Sequence, residues 1–265
     1  MREKEEIPLL LTGTIDANTY NIGGNSLLNI NERLSQYESA VKRYIMDSPF
    51  TLIVFIDNSG YQFNEEKYKS LAEKYHKKFE FISGKICKEE IVKYGGKSWG
   101  DAYLISEGLK KSVLLKDVEY FYKITGRIFL RNSEKICKTR KKYRNEFIVY
   151  PGIDWCFTNI FKANRKDYLT VFGDAYRECN ERTRDYIEKV FYMRLINSKI
   201  DVGSFETYPY FEGRRGVDGK NYSGGLIERS VRNIMARAHC FSIYSKTSRI
   251  VTWAFKMKGI SKDNL

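Results

Sequence analysis

The sequence predicts an α/β fold: a mixed, mostly parallel sheet flanked by helices, with a helical and basic C-terminal elaboration. Three observations carry that expectation. Short, continuously apolar runs such as "IPLLLTGTI" and "FTLIVFID" end in polar turn residues, as strands buried on both faces do. Segments of helical period stand between those runs, and strand–helix alternation implies a sheet covered on both sides. No self-similarity recurs at the period of a solenoid or propeller repeat.

The first run is the first strand. The stretch "NINERLSQYESAVKRYIMDS" places Leu34, Tyr37, Val41, Tyr44 and Ile45 on one helical face, with Asn31 as its cap. "FTLIVFID" is the second strand, "NEEKYKSLAEKYHKK" the next helix and "FEFIS" the third strand. "YGGKSWGDAYLISEGLKKSVLLKD" opens on glycines and continues as an amphipathic helix through Leu104, Ile105, Leu109 and Val113. "VEYFYKITGRIFLR" reads as a largely buried strand, because five of the seven residues from Val118 to Ile124 are apolar or aromatic. "EFIVYP" reads as another. After Pro151 the pattern changes to helices near 166–178 and 182–198, an extended "GSFETYPYFEG", a glycine-rich "RRGVDGKNYSGG" and a basic helix "LIERSVRNIMARAH". This latter half is expected to pack on the sheet's carboxyl edge, so that residues 1–265 form one domain with a binding part over 1–150 and a second part over 151–265.

The chain of 265 residues can bury a large core. Its formal net charge of +13 is unevenly spread: Tyr210 to Leu265 holds 11 Lys/Arg against 4 Asp/Glu, and "KTRKKYR" at 138–144 is a second cluster. Basic surfaces attract phosphates, whether of nucleotides, lipids or nucleic acid. The five cysteines are scattered and odd in number, which suits reduced thiols. Two histidines and no Cys-x-x-Cys argue against a zinc site. No apolar run is long enough to cross a membrane, and the one in "MREKEEIPLLLTGTID" is too short for a secretory signal. A cytoplasmic location is therefore expected, with the basic C-terminal region available for peripheral contact with anionic lipid at the inner membrane face.

In open α/β sheets ligands bind beyond the carboxyl ends of the strands. That rule gathers Thr12, Gly13, Thr14 and Asp16 after the first strand, Asp57, Asn58 and Ser59 after the second, and Thr125, Gly126 and Arg127 at the end of "KITGR". The loop from Gly95 to Asp101, at a helix start, joins them. "YGGKSWG" contains Gly-Lys-Ser but is no NTPase loop, since Ile91 stands where the pattern needs glycine. Its glycines still allow backbone amides and Lys97 to approach an anion at the positive end of a helix; a flexible loop is the alternative. For Arg127 the alternatives are a structural ion pair and a bidentate contact to phosphate.

The set "FIDNSG", "GGKSWGDAYLISEGL", "YFYKITGR" and "RDYIEKVFYMRL" resembles a family of bacterial glycosyltransferases of capsular and O-antigen (lipopolysaccharide) polysaccharide synthesis, which has a GT-A-like, Rossmann-type nucleotide-sugar fold. The resemblance spans residues 8–200. Asp57 to Gly60 match an Asp-Asn-Ser-Gly strand end. Gly96, Lys97, Gly100 and Asp101 match the family's glycine loop, with Ser98 and Trp99 departing from it. Lys123 to Arg127 match Lys-Ile-Thr-Gly-Arg in full, and Ile187, Glu188 and Val190 match a helix motif in which Lys189 replaces His.

The resemblance implies transfer of a sugar from a nucleoside-diphosphate donor, with UDP-sugar the first choice, to a growing cell-surface glycan or lipid-linked saccharide. Many enzymes of this fold hold a divalent metal with Asp-x-Asp at a central strand end. This sequence has no Asp-x-Asp, and "TGR" stands in its place. Arg127, helped by Lys97 and Lys123, is therefore expected to do the metal's electrostatic work, and no metal is expected. Glu188, with Asp185 nearby, is the first candidate for the base that deprotonates the acceptor; Asp154 is the second. Tyr222, with Arg214, Arg215 and Lys220 in the glycine-rich loop, is a candidate lid. Two rivals compete. A basic nucleic-acid-binding protein would use Arg229, Arg232 and Arg237, but the chain carries no RRM, KH, zinc or helix-turn-helix signature. A sugar nucleotidyltransferase would need a basic residue in the loop after the first strand, and "LTGTIDANTYNIGGNS" has none.

Overall fold

The computed structural model describes residues 5–19, 29–84, 89, 91, 93, 96–214, 222 and 225–245. Its strands are β1 (Pro8–Gly13), β2 (Leu52–Asp57), β3 (Lys78–Ser83), β4 (Tyr120–Thr125), β5 (Phe129–Leu130), β6 (Asn145–Glu146), β7 (Val149–Tyr150), β8 (Trp155–Cys156), β9 (Ile160–Asn164), β10 (Val202–Gly203) and β11 (Phe211–Glu212). The helices are α1 (Ile30–Asp47), α2 (Glu65–Lys74), α3 (Lys97–Lys111), α4 (Ser133–Lys138), α5 (Arg165–Val171), α6 (Ile187–Asn197) and α7 (Leu226–Arg237).

Seven strands form one sheet in the order β10-β6-β9-β4-β1-β2-β3. β4, β1, β2 and β3 run parallel, whereas β9 runs antiparallel to both β4 and β6. The mixed, mostly parallel α/β architecture expected from the sequence is thus the one observed. Because side chains alternate along a strand, each strand feeds two cores. Leu9, Leu11, Ile53 and Phe55 meet Tyr37, Val41, Tyr44 and Ile45 of α1 on one face. Leu10, Val54, Ile56 and Phe121 meet Leu104, Ile105 and Leu109 of α3, Tyr168 of α5 and Phe191 of α6 on the other. Each such side chain, when fully buried, stabilises the fold by about 1.5–3 kcal/mol.

Several boundaries differ from the sequence reading, each for a local reason. Asn29, not Asn31, caps α1, and its side chain accepts from the Asn31 and Glu32 amides. α3 ends at Lys111, because Glu80 collects the Ser112 hydroxyl and the Val113 and Leu114 amides, and Val113 is exposed. "EFIVYP" splits between β6 of the main sheet and β7, which pairs with β8 as a hairpin. The helix expected over 182–198 begins only at Ile187, since Arg184 adopts a left-handed conformation and Asn180 bridges Asp185 just before it. β9 lies within a stretch that the sequence had not marked as a strand. Its central Lys162 interrupts the apolar pattern, yet it is buried against Glu146 of β6 with Nζ–Oε2 at 3.0 Å. Among the described residues, no helix is long and apolar enough to cross a membrane.

Candidate active site

The carboxyl ends of β1 and β4 are drawn together by backbone. The Gly126 amide donates to the Thr12 carbonyl at 2.8 Å. A Cβ at Gly126 would lie 2.9 Å from that same oxygen and 3.2 Å from the Phe55 ring, so only glycine allows this approach. The chain turns at once, Ile128 bonding back to Thr125 at 3.3 Å, and Arg127 projects from the turn. Thr125 is fixed alongside: its hydroxyl donates to Asn159 Oδ1 at 3.1 Å, and Asn159 Nδ2 donates to the Tyr222 hydroxyl at 3.0 Å. Tyr222 also packs on Phe211 of β11, so it belongs to the same rim. Arg215 and Lys220 lie outside the described residues, and Arg214 pairs with Glu32 at 3.0 Å.

Arg127 is half-buried. Its Nη1 is shielded from solvent and has no hydrogen-bond partner among the described residues, and no ion pair is formed there either. The structural ion pair is therefore not what holds this guanidinium. A buried charged donor without a partner is costly, by more than the ~1–3 kcal/mol of a neutral one. Two further cations stand near it. Lys97, at the start of α3, has its ammonium pKa lowered by burial, against the pull of Glu181, with the charges of Arg127 and Arg33 lowering it further. Arg33 of α1 is buried; its Nε donates to the carbonyls of Thr14 at 3.0 Å and Ile15 at 3.1 Å. Sequence reasoning missed Arg33, although a charged residue one turn before Tyr37 in an apolar stripe was a usable signal.

The glycine turn differs from its expected role. Gly96 has φ +146, and a Cβ there would fall 2.1 Å from the Glu181 carboxylate. Glu181 Oε1 accepts from the Ser98 amide at 2.9 Å and the Ser98 hydroxyl at 2.8 Å. The anion at the positive end of α3 is thus the protein's own carboxylate, not a site left open for a phosphate. Gly95 lies outside the described residues. Trp99 points into the core, stacked on Tyr103 at 5.0 Å between ring centroids.

A second network runs through Asp101. It accepts from the Thr12 hydroxyl at 2.7 Å and from Lys123 Nζ at 3.0 Å. Lys123 is fully buried and also donates to the Thr158 carbonyl at 2.9 Å, so it is held inside the protein rather than offered to a phosphate. The Thr158 hydroxyl donates to Glu188 Oε1 at 3.2 Å. Burial, with the negative charge of Asp101 second among the unfavourable causes, pushes the Glu188 carboxyl up to about 7, against the help of Thr158 and Lys123.

Other expected site residues serve the frame. Asp57 is fully buried and accepts from the Ile15 amide at 2.7 Å, the Ser59 amide at 2.8 Å and the Ser59 hydroxyl at 2.7 Å. It clasps the loop after β1 to the loop after β2, and burial raises its pKa. The Asp16 amide donates to Ser59 at 3.1 Å, the Thr14 amide to the Tyr37 hydroxyl at 2.9 Å, and Asp16 Oδ1 caps Asn18 at 3.0 Å. Asn58 is buried facing Gly100, and a Cβ at Gly13 would strike the Tyr37 ring at 2.6 Å. Asp154 is exposed and left-handed on a turn beside Tyr192 of α6. Lys189 pairs with Asp185 at 2.7 Å. The carboxylates of Asp57 and Asp101 are engaged by protein donors, and no three His, Cys, Asp or Glu among the described residues gather as ligands.

No protein-family model matches the chain, and no curated protein matches it. Solved structures similar to it include core-mannan synthase A from Aspergillus fumigatus in its Mn/GDP form, at 11% identity and TM-score 0.44, covering 91% of this chain and 87% of that one. A nucleoside-diphosphate-sugar pyrophosphorylase from Vibrio cholerae RC9 is similar at 16% identity and TM-score 0.43, covering 75% and 91%. A mannosyltransferase from S. cerevisiae is similar at 9% identity and TM-score 0.37, covering 97% and 83%. At these values the likeness concerns the arrangement of strands and helices alone.

Proposed function

We propose that this chain is a glycosyltransferase that binds the diphosphate of a nucleotide sugar at the joined ends of β1 and β4, with Arg127 as the principal phosphate contact. The observation that carries the reading is the partnerless Arg127 Nη1, beside Lys97 and Arg33, at the carboxyl edge of the sheet. As the bond from the sugar to the diphosphate breaks, negative charge grows on the leaving oxygen. A guanidinium already fixed there stabilises it without reorganisation, an effect worth roughly 3–4 kcal/mol for one well-placed donor. Glu188, held at Oε1 by Thr158 and with a pKa of about 7, takes the proton of the acceptor hydroxyl. Because the local carboxylates are engaged by the protein, the charge compensation is assigned to side-chain cations rather than to a metal.

The finer reading is a UDP-sugar donor, a growing cell-surface glycan or lipid-linked saccharide as acceptor, and a single domain in which 1–150 binds the donor and 151–265 the acceptor. The joining of β6, β9 and β10 to β4 in one sheet supports the single domain.

The test is a thermal-shift panel with UDP, GDP, CMP and TDP, with and without manganese, on the wild type and Arg127→Ala. A ligand of the folded state raises Tm by mass action. The expected result is a metal-independent rise with one diphosphate that Arg127→Ala abolishes, together with a loss of about 10²–10³ in kcat. A shift that requires manganese, or activity removed by EDTA, overturns the assignment of Arg127.

A further inference from the structure

Helix α7 is turned the wrong way round for a helix facing water. Three of its polar side chains point into the protein: Arg229 lies over the Tyr210 ring at 3.7 Å, Arg232 donates to the Tyr208 hydroxyl at 3.1 Å, and Asn233 Oδ1 accepts the Tyr208 amide at 3.0 Å. Its aliphatic side chains point out, with Leu226 79%, Ile227 83%, Val231 49% and Ile234 66% exposed. These four recur at the spacing of a single helical stripe. A surface helix of a soluble domain presents the reverse pattern, and a contiguous exposed apolar stripe marks a contact surface.

From this inverted face we infer that α7 docks on an anionic lipid bilayer, its aliphatic stripe entering the acyl boundary and Arg237 at its end meeting the headgroups. Two observations choose lipid over protein. The stripe is small, on the order of a few hundred Å², short of the roughly 800 Å² per partner in a standard protein interface. It also lies in a basic part of the chain: Leu226 to Leu265 contains eight Lys/Arg against two Asp/Glu. Of these, Arg237 is exposed at the end of α7. Shallow apolar insertion combined with basic flanks is the chemistry of interfacial helices on anionic membranes. The stripe begins four residues after Tyr222, within about 14 Å of chain, so docking brings the Tyr222–Asn159 rim near the lipid surface. The strand-end site contributes nothing to this surface, and the test reads binding to vesicles rather than turnover.

The experiment is flotation of the full chain with phosphatidylcholine vesicles and with mixed phosphatidylcholine–phosphatidylglycerol vesicles, for the wild type and for Ile227→Ser with Ile234→Ser. The wild type is expected to float with the anionic vesicles, less so as salt rises, and to stay behind with phosphatidylcholine alone. The double variant is expected to lose at least about tenfold in partitioning, with an unchanged circular dichroism spectrum and Tm. A second pair, Leu226→Ser with Val231→Ser, is expected to behave alike. Three results overturn the inference: a wild type that does not float, variants that float as well as the wild type, or light scattering that shows a dimer which the variants dissolve, since the last assigns the stripe to a second copy of the chain.

Discussion

Glu188 sits where burial and a neighbouring carboxylate both oppose its charge. If it is the base, kcat/KM rises with pH through about 7 as the carboxyl ionises, and Glu188→Gln removes that rise with a loss of about 10²–10⁴ in rate. Its stability has the opposite slope. A carboxyl whose folded pKa is raised keeps its proton longer in the folded state, so folding loses free energy as pH climbs from the ordinary carboxyl range through about 7. Glu188→Gln is therefore expected to melt above the wild type at mildly alkaline pH and to match it in mild acid. A pH–rate profile and a Tm series check both signs. The strand-end positions of Asp57 and Arg127 were legible because motif and sheet rule agree on them. Glu181 and Thr158 were not, because their roles arise only through contacts 83 and 30 residues along the chain. Lys123 shows the converse: a positive charge in a motif looked available, yet the fold holds it between Asp101 and Thr158.

At the scale of elements, the union of β1 and β4 depends on the missing side chain at Gly126. Gly126→Ala places a methyl 2.9 Å from a backbone oxygen, with the Phe55 and Tyr37 rings at 3.2 and 3.3 Å behind it. Neither strand can yield without disturbing the core, so the expected cost is about 1–3 kcal/mol, read by urea denaturation. The displaced Arg127 should also weaken any nucleotide-induced thermal shift. The parallel strands β1, β2 and β4 were readable because each is a short, largely apolar run buried on both faces, a pattern that survives without knowledge of partners; β3, at the sheet edge, was readable from its alternating Phe79 and Phe81. β9 was not, because Lys162 and Asn164 interrupt its apolar pattern: Glu146 compensates the first, and the Asn145 side-chain oxygen together with the following α5 amides the second.

Across the whole molecule, the later strands are fastened to the earlier ones at β9, and the Glu146–Lys162 pair lies in that seam. Burial raises the Glu146 carboxyl to about 7 even with the Lys162 ammonium beside it. Lys162→Met leaves that carboxylate uncompensated, at an expected cost on the order of 3 kcal/mol above neutral pH. The cost shrinks in mild acid, where Glu146 takes up a proton. Adding Glu146→Leu should restore most of the lost stability, a recovery that denaturation of the double variant measures.

The reversed direction of β9 also decides which side chains become neighbours. A parallel strand brings its C-terminal neighbours in the chain to the carboxyl rim, whereas a strand running the other way brings its N-terminal ones. Thr158 and Asn159 lie immediately before Ile160, and so they arrive beside Thr125 and Glu188. Had β9 run with its neighbours, the same pair would have been left at the far edge, about 17 Å away for a five-residue strand, and Glu188 would lack the hydroxyl that orients it.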